Sequence, residues 1–215
     1  MEEIVVSFTK HGLILTVAII GLLASNIIFY NKYKTFYIKY KEALKNSIID
    51  PLTGLFNTRY LAHRLQEEIS RASRFGHPLY LMFIDLDKFK QVNDFYGHAE
   101  GDEVLKAVAK ALAKVMRPHD VVVRNGGDEF VILTAEISWE NINQVADRIR
   151  QAVAKVSTRK CSGAITASIG LHPVNVNQPA DDALKEADAA MYKAKRAGGN
   201  KVGNSWTFSK KKIAR

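Results

Sequence analysis

Two adjacent glycines, Gly126 and Gly127, separate two short apolar runs at residues 121–123 and 130–133. An Asn-Gly or Gly-Gly pair between apolar strands is the strongest short-range signal for a β-hairpin, because both central residues can adopt positive φ without a steric penalty. The segment therefore predicts two antiparallel strands joined by a tight turn.

Amphipathic helical segments and strand-length apolar runs alternate on both sides of this hairpin. The Asp-Pro-Leu-Thr-Gly segment 50–54 breaks any preceding helix, because the residue before a proline is pushed out of helical geometry, and it marks the start of the domain. Helices are predicted at 58–74, 99–116, 141–156 and 180–196, and strands at 79–84, 121–123, 130–133 and 164–171. This order predicts a mixed sheet with helices packed on it.

A long uncharged run precedes the domain. The nineteen residues from Gly12 to Tyr30 carry no formal charge, which is about the ~20 residues needed to cross a bilayer as a helix. A cleaved signal peptide is the alternative, but its basic start is absent, since Glu2 and Glu3 precede Lys10. We therefore expect a transmembrane helix over 12–31 after a short extracytoplasmic segment, 1–11.

The basic residues are unevenly placed around this run. Lys10 is the only Lys or Arg before it, whereas five lysines follow it within the next fifteen positions: Lys32, Lys34, Lys39, Lys41 and Lys45. The positive-inside rule then predicts a single-pass protein of the inner membrane with its domain in the cytoplasm. A formal charge of +9 also suits a nucleic-acid binder, but much of the excess lies beside the apolar run and in the basic tail 208–215. That distribution favours anionic membrane lipid and predicts no nucleic-acid partner.

Residues 32–48 form a juxtamembrane segment with one apolar stripe. Its members recur at spacings of four, three, four and four, which places them on one helix face: Tyr33, Tyr37, Tyr40, Leu44 and Ile48. The stripe fits a short parallel coiled coil between two chains, and equally a face that lies on its own domain or at the lipid headgroups. The single cysteine, Cys161, excludes a disulfide framework and predicts a small buried residue.

Acidic residues occur at two predicted strand ends. Asp85 and Asp87 follow the apolar run 79–84, and Asp128 and Glu129 follow the glycine turn. Mg²⁺ prefers oxygen ligands and usually retains substrate phosphates in its shell, and glycines leave room for a ligand near the backbone. A lone Asp-x-Asp more often caps a turn, but two such pairs in one small domain suggest a metal-nucleotide site.

Several short motifs occur in a fixed order along residues 48–205. They are Asp-Pro-Leu-Thr-Gly-Leu at 50–55, Asp-Leu-Asp-Lys-Phe-Lys at 85–90, Asn-Asp at 93–94, Gly-His at 97–98, Gly-Asp at 101–102 and Gly-Gly-Asp-Glu-Phe at 126–130. The chain resembles the GGDEF diguanylate cyclases, which join two GTP molecules into cyclic di-GMP. The resemblance implies an α+β, nucleotidyl-cyclase palm-like domain over 49–207, with a central, mostly antiparallel five-stranded sheet and surrounding helices, here preceded by one transmembrane helix.

The resemblance also implies roles for the acidic residues. Asp85 and Glu129 would hold two divalent ions, Mg²⁺ or alternatively Mn²⁺, and the backbone carbonyl of Leu86 would be a further metal ligand. Asp128 would deprotonate the attacking hydroxyl or share the metal, which makes Asp128 and Glu129 the expected catalytic pair.

A second set of positions is implied to bind the substrate. Asn93 and Asp102 would read the guanine edge, which makes GTP the expected substrate, and His98 would lie beside the nucleotide. Lys90 and Lys195 would neutralise the phosphates as point charges, unless they are simply solvated. Phe89 and Gly127 complete the implied substrate-binding set. Each subunit would hold one GTP, so the reaction requires a two-fold homodimer, which the stripe in 32–48 would help to assemble.

The segment Arg117-Pro118-His119-Asp120 resembles the product-inhibition site of the same family, with Arg148 as its secondary arginine. As bare sequence, Arg-x-x-Asp is also a common helix-end ion pair. The chain departs from the family pattern at Gly199, where an arginine often helps to clamp the phosphates, and at Asn125, where an aromatic residue is frequent.

Two rival functions follow from the same motifs. A catalytically silent domain would act as a cyclic di-GMP receptor through Arg117 and Asp120, although silent members usually lose the acidic loop that this chain retains. An enzyme that makes mixed cyclic nucleotides would show a changed guanine-reading residue at 102, and Asp102 argues against it.

Overall fold

The computed structural model describes the backbone of residues 2–46, 48–161 and 165–206, and the side chains of these residues except 2–17, 42 and 44–46. The chain separates into two compact units, Met1–Ser47 and Ile48–Arg215. The predicted basic tail 208–215 and the side chains of the predicted N-terminal segment 1–11 lie outside the described residues.

The first unit is one helix, α1, over Glu2–Asn46. Within the part of the chain that the structure describes, no helix is long and apolar enough to cross a membrane. This finding does not match the transmembrane helix predicted over 12–31. The side chains of 12–17, within that predicted span, lie outside the described residues.

The stripe of α1 is open to solvent where it is described. Tyr33, Tyr37 and Tyr40 are 60, 46 and 52% exposed, and the rings of Tyr33 and Tyr37 stack with centroids 6.3 Å apart. The Leu44 side chain lies outside the described residues. The choice between a coiled coil and the other two interpretations therefore stays a prediction.

The second unit is built on a six-stranded sheet with the spatial order β1-β3-β4-β2-β5-β6. In chain order the strands are β1 Phe56–Asn57, β2 Leu79–Asp87, β3 Val121–Gly126, β4 Glu129–Ala135, β5 Thr166–Pro173 and β6 Val202–Asn204. The four central strands pair antiparallel, and the short edge strands β1 and β6 pair parallel to β3 and β5. The sheet thus has two strands more than the four predicted from the sequence pattern, and one more than the five that the resemblance implies. The edge strands β1 and β6, of two and three residues, are too short to show a strand pattern.

In the described part of this unit, five helices accompany the sheet: α2 Thr58–Phe75, α3 Phe89–Tyr96, α4 His98–Val115, α5 Trp139–Ala154 and α6 Ala180–Arg196. The side chain of Asn57 caps the start of α2 by accepting from the backbone N–H groups of Arg59 and Tyr60. All nine residues of β2 are buried, because its two faces pack into different cores. One core contains residues of α3, α4 and α5, and the other contains residues of α2 and α6.

Two local predictions are resolved by this fold. Cys161 is a free, buried thiol, as predicted.

Asp85 and Asp87 belong to β2 itself and do not follow it, because backbone pairing with β4 and β5 continues beyond the apolar run. On an alternating strand, both therefore point to the face that packs on α2 and α6.

Candidate active site

The glycine turn brings two acidic segments together. The antiparallel register of β2 and β4 places Asp85 opposite Glu129, and the backbone N–H of Leu86 donates to the Asp128 carbonyl at 3.3 Å. Gly126 and Gly127 have φ values of 143° and 50°, which residues other than glycine rarely adopt. The sequence therefore forms the predicted hairpin, and the hairpin delivers Asp128 and Glu129 to the end of β2.

The first motif of the domain holds this turn in place. Arg124 donates to the Gly127 carbonyl from Nε at 3.1 Å and from Nη2 at 2.9 Å, and its Nη1 lies 3.3 Å from both carboxylate oxygens of Asp50. Asp50 also accepts from the Thr53 backbone N–H and hydroxyl, at 2.9 and 2.6 Å. Burial acts to raise the pKa of Asp50, but these hydrogen bonds and the Arg124 charge outweigh it and lower the pKa from its ordinary value of 3.8.

Asp85 is a buried carboxylate paired with a lysine. It is 8% exposed, and Lys195 Nζ from α6 donates to its Oδ1 at 2.5 Å. Burial raises the pKa of Asp85, Lys195 opposes this rise, and the nearby charges of Asp128 and Glu129 add to it. Burial would lower the pKa of Lys195, but its hydrogen bond and charge interaction with Asp85 raise it. Lys195 is therefore not simply solvated in this structure.

Glu129 has a partner that the sequence did not reveal. Asn125 Nδ2 donates to Glu129 Oε2 at 2.9 Å, and the Asn125 carbonyl accepts from the Thr58 hydroxyl at 3.3 Å. Asn125 thus orients a predicted metal-binding carboxylate from a position where the family often has an aromatic residue. Only the departure from the family pattern at 125 could have drawn attention to it.

The described residues contain no group of three or more His, Cys, Asp or Glu side chains arranged as metal ligands. The two facing carboxylates are instead paired, Asp85 with Lys195 and Glu129 with Asn125. Their chemistry nevertheless fits a hard divalent cation, because a buried carboxylate and two more on the adjoining strand end offer only oxygen ligands. Asp85 can take that role once Lys195 leaves it, and the Leu86 carbonyl stays a predicted ligand.

Asp87 is structural and does not fit a metal ligand. Its carboxylate accepts from the hydroxyls of Thr166 at 2.7 Å and Ser168 at 2.6 Å and from the backbone N–H of Asn200 at 2.8 Å. These three donors tie β2 to β5 and to the turn after α6. Gly199 in that turn has a φ of 69°, and a Cβ built on it would lie 2.9 Å from the Asp87 carboxylate. In this chain, an arginine at 199 would therefore bring its Cβ too close to the Asp87 carboxylate.

The predicted base-reading residues meet where α3 turns into α4. The Gly97 backbone N–H donates to the Asn93 carbonyl at 2.9 Å, and a Cβ on Gly101 would lie 1.9 Å from Asn93 Oδ1. The close approach of α4 at Gly101 therefore seats the Asn93 amide against the residue that precedes Asp102. Asp102, His98 and Lys90 are exposed.

Phe89 lies 8% exposed within the core that contains α3, α4 and α5. The Phe89 side chain therefore packs against the inner side of the corner between α3 and α4. A contact of Phe89 with substrate, like those of Gly127, Lys90 and His98, stays a prediction.

Glu100 is a buried carboxylate at the start of α4 that the sequence analysis does not predict. Although it follows His98 in the first turn of α4, it is buried at 8% exposure. Its carboxylate accepts from the Thr158 hydroxyl and from the Lys160 backbone N–H, the latter at 3.3 Å. The Thr158 hydrogen bond is the main cause that lowers the pKa of Glu100. Glu100 thereby fastens the turn 158–161 to the start of α4, beside the residues that would read the base.

The predicted inhibitory segment forms a tight turn. Asp120 is buried; its Oδ2 accepts from the Arg117 backbone N–H at 2.8 Å, and its Oδ1 accepts from the Thr134 hydroxyl at 2.6 Å. Asp120 therefore stabilises the turn from within, and the segment is not a simple side-chain ion pair. Arg117, like Arg148 on α5, is exposed, and it borders a cavity of about 200 Å³ that also contacts Ile49 and Phe56.

Comparison with known proteins places these features in one family. The family model described as "Diguanylate cyclase, GGDEF domain" matches residues 47–201. The chain is 37% identical to the diguanylate cyclase DgcP of Pseudomonas aeruginosa over 171 residues, covering 79% of this chain and 26% of that protein. It is 39% identical to the diguanylate cyclase DosC of Escherichia coli over 167 residues, covering 76% and 36%. The chain thus spans between a quarter and about a third of the length of these relatives.

Solved structures show the same fold. The GGDEF domain of DgcB from Caulobacter crescentus, in complex with c-di-GMP, matches with a TM-score of 0.70 and 30% identity over 74% of this chain and 96% of that one. The diguanylate cyclase SiaD of Pseudomonas aeruginosa, in complex with its activator SiaC, matches with a TM-score of 0.70 and 32% identity over 94% and 77%. The predicted α+β palm-like fold is confirmed.

Proposed function

Because the chain belongs to the GGDEF diguanylate cyclase family, we propose that it joins two molecules of GTP into cyclic di-GMP and releases two of pyrophosphate. The observation that carries the proposal is the position of Asp85 opposite Glu129, with Asp128 and Lys195 beside them. Catalytically silent members of the family usually lose the acidic loop, whereas this chain retains it at 126–130.

In the proposed mechanism, Asp85, Asp128 and Glu129 hold Mg²⁺, with the Leu86 carbonyl as a further ligand. When bound there, divalent ions would supply Lewis-acid chemistry that favours attack by a 3′-hydroxyl on an α-phosphate and the departure of pyrophosphate. Asn93 and Asp102 hold the guanine, and their position at one corner of α3 and α4 supports this role. Lys90 and Lys195 neutralise the triphosphate, and His98 lies beside the nucleotide.

The reaction requires two copies of the domain. The 3′-oxygen of one GTP bonds to the α-phosphorus of the other as pyrophosphate leaves, and the same exchange in the opposite direction closes the ring. Each domain supplies one GTP, so a homodimer with two-fold symmetry is needed to present both hydroxyls correctly. The exposed aromatic stripe of α1 is the proposed means of raising the effective concentration of the two domains.

Full-length protein incubated with GTP and Mg²⁺ tests the proposal directly. We expect cyclic di-GMP to accumulate, as measured by liquid chromatography, and to be absent with Glu129→Gln, which retains the size of the side chain but loses its charge. A dimeric, product-free preparation that forms none would overturn the cyclase proposal. Binding of added cyclic di-GMP by that preparation would then favour the rival receptor function.

We also propose that Arg117, Asp120 and Arg148 bind cyclic di-GMP and inhibit the enzyme. The exposed guanidinium of Arg117, fixed by a turn that Asp120 organises from within, supports this assignment. Arg117→Ala is expected to raise the final level of product and to weaken inhibition by added cyclic di-GMP. Inhibition that Arg117→Ala leaves unchanged would refute the site.

Localisation to the inner membrane, in contact with lipid and with the domain in the cytoplasm, stays a prediction from the sequence. Fractionation of cells that produce the full chain tests it. Recovery with membranes after a high-salt wash is expected, and recovery only in the supernatant would contradict it.

A further inference from the structure

The ion pair between Lys195 and Asp85 joins two residues that have different proposed partners. Asp85 would bind a metal ion, and Lys195 would bind phosphate, yet in this structure Lys195 Nζ donates to Asp85 Oδ1 at 2.5 Å. The Asp85 side chain is 11% exposed, whereas that of Lys195 is 42% exposed. The Lys195 side chain therefore extends from the surface of α6 to a carboxylate that is nearly buried.

Asp85 needs a positive partner because of what surrounds it. A buried carboxylate without a counter-charge is strongly disfavoured, and Asp85 also experiences the negative charges of Asp128 and Glu129. Lys195 is in turn within the field of Asp85, Asp128 and Asp87. The ammonium group thus lies among the carboxylates where a divalent cation would otherwise supply the positive charge.

We propose that the Lys195 ammonium serves as the counter-ion of the Asp85 carboxylate until a divalent ion and a nucleoside triphosphate bind together. This inference rests on the proposed function of the site. The metal ion then replaces Lys195 at Asp85, and the released ammonium pairs with the phosphates. A lysine suits this exchange because its charge is a compact group on a flexible four-carbon stem.

The exchange makes metal and nucleotide binding reciprocal. A metal ion that arrives alone must displace Lys195 without giving it a new partner, so its affinity is reduced. A triphosphate supplies that partner, and by linkage each ligand then strengthens the binding of the other. The ion pair therefore weakens the binding of divalent ions when no nucleotide is present.

Binding of Mn²⁺ to the full-length protein tests the proposal without turnover. Free Mn²⁺ is measured by electron paramagnetic resonance in the absence of nucleotide, and Lys195→Met is expected to bind it about three- to tenfold more tightly than the wild type. That range corresponds to the loss of one partly exposed ion pair. Lys193→Met is the matched control, because it removes the same charge from an exposed position on the same helix and should change the affinity much less.

A second titration includes a non-hydrolysable GTP analogue. The analogue should tighten Mn²⁺ binding to the wild type and to Lys195→Arg, and should tighten binding to Lys195→Met markedly less. Unchanged or weaker binding of Mn²⁺ to nucleotide-free Lys195→Met would overturn the proposal, as would equal effects of Lys195→Met and Lys193→Met. Far-ultraviolet circular dichroism establishes that each variant is folded. Failure of the cyclase proposal would show separately, as absence of cyclic di-GMP from the wild type with GTP.

Discussion

Asp85 and Asp87 stand two residues apart on the same face of β2, and their neighbours give them different roles. Asp87 receives three hydrogen bonds from Thr166, Ser168 and Asn200, so its oxygens are used in holding the fold together. Among the described residues, the Asp85 carboxylate is hydrogen-bonded by the Lys195 ammonium, which is carried on a flexible four-carbon stem. Whether each carboxylate is available to a ligand therefore depends on whether its hydrogen-bond donors are fixed by the fold or are carried on a flexible side chain.

The contact between Gly199 and Asp87 predicts a cost of any side chain at 199. Gly199→Ala should lower the free energy of unfolding by about 1–2 kcal/mol from its positive φ alone, and by more because its Cβ would lie 2.9 Å from the Asp87 carboxylate. Gly54→Ala is the matched control, since Gly54 has a φ of 72° but nothing within 4 Å of its Cβ position. Urea unfolding should show a larger loss for Gly199→Ala, and equal losses would contradict the contact.

Gly101 predicts a selective effect on substrate binding. A Cβ at this position would lie 1.9 Å from Asn93 Oδ1 and 3.3 Å from Phe89 Cζ, so Gly101→Ala must displace the Asn93 amide. The loss of about one hydrogen bond to guanine should raise KM for GTP about tenfold, with a smaller change in kcat. Lys110→Ala, exposed on the same helix, is the control. An unchanged KM in folded Gly101→Ala would argue against base reading by Asn93.

At the scale of elements, the site depends on how the start of the domain is fastened to the β3–β4 hairpin. Asp50 accepts hydrogen bonds from Thr53 and from Arg124, and Arg124 also holds the Gly127 carbonyl. The Asp-Pro-Leu-Thr-Gly motif, which the sequence predicts as a helix-breaking start of the domain, therefore also holds the glycine turn at 126–127 in place.

This connection through Asp50 predicts a dependence of stability on pH. Because the folded pKa of Asp50 lies below its ordinary value of 3.8, its contribution is present above that value and is lost as the pH falls through the folded pKa. Asp50→Asn should therefore cost about 1–2 kcal/mol of unfolding free energy at pH 7, and progressively less below about pH 4. Asp182→Asn, in an exposed pair with Lys185, should cost little at either pH. A deficit of Asp50→Asn that stays constant down to pH 3 would contradict this contribution of Asp50.

The elements differ in how far their sequence predicts them. The apolar run of β2 and the helices α2, α4, α5 and α6 follow from their patterns, because each buries a regular set of side chains. The helix α3 was missed, since its eight residues are too few for a clear period. The last three residues of β2 were missed as well, because Asp85 and Asp87 are held there by partners distant in sequence.

For the molecule as a whole, the motifs predict which residues belong to the candidate site, but they do not predict which hydrogen bonds those residues form. The register of β2 and β4 places Asp85 opposite Glu129, and their roles in metal binding and catalysis stay predictions. The pairs formed by Asn125 with Glu129 and by Lys195 with Asp85 are set by tertiary packing. A single sequence carries no pattern from which such pairs can be read, and the same holds for Glu100 and the turn 158–161.

The central claim is that two copies of this domain convert two GTP into one cyclic di-GMP. The most direct measurement follows cyclic di-GMP and pyrophosphate in the same reaction of the full-length protein, over a series of protein concentrations. We expect two pyrophosphates for each cyclic di-GMP, and a specific activity that falls on dilution as the half-sites separate. Pyrophosphate released without cyclic di-GMP, or no release of either by a folded, product-free dimer, would contradict it.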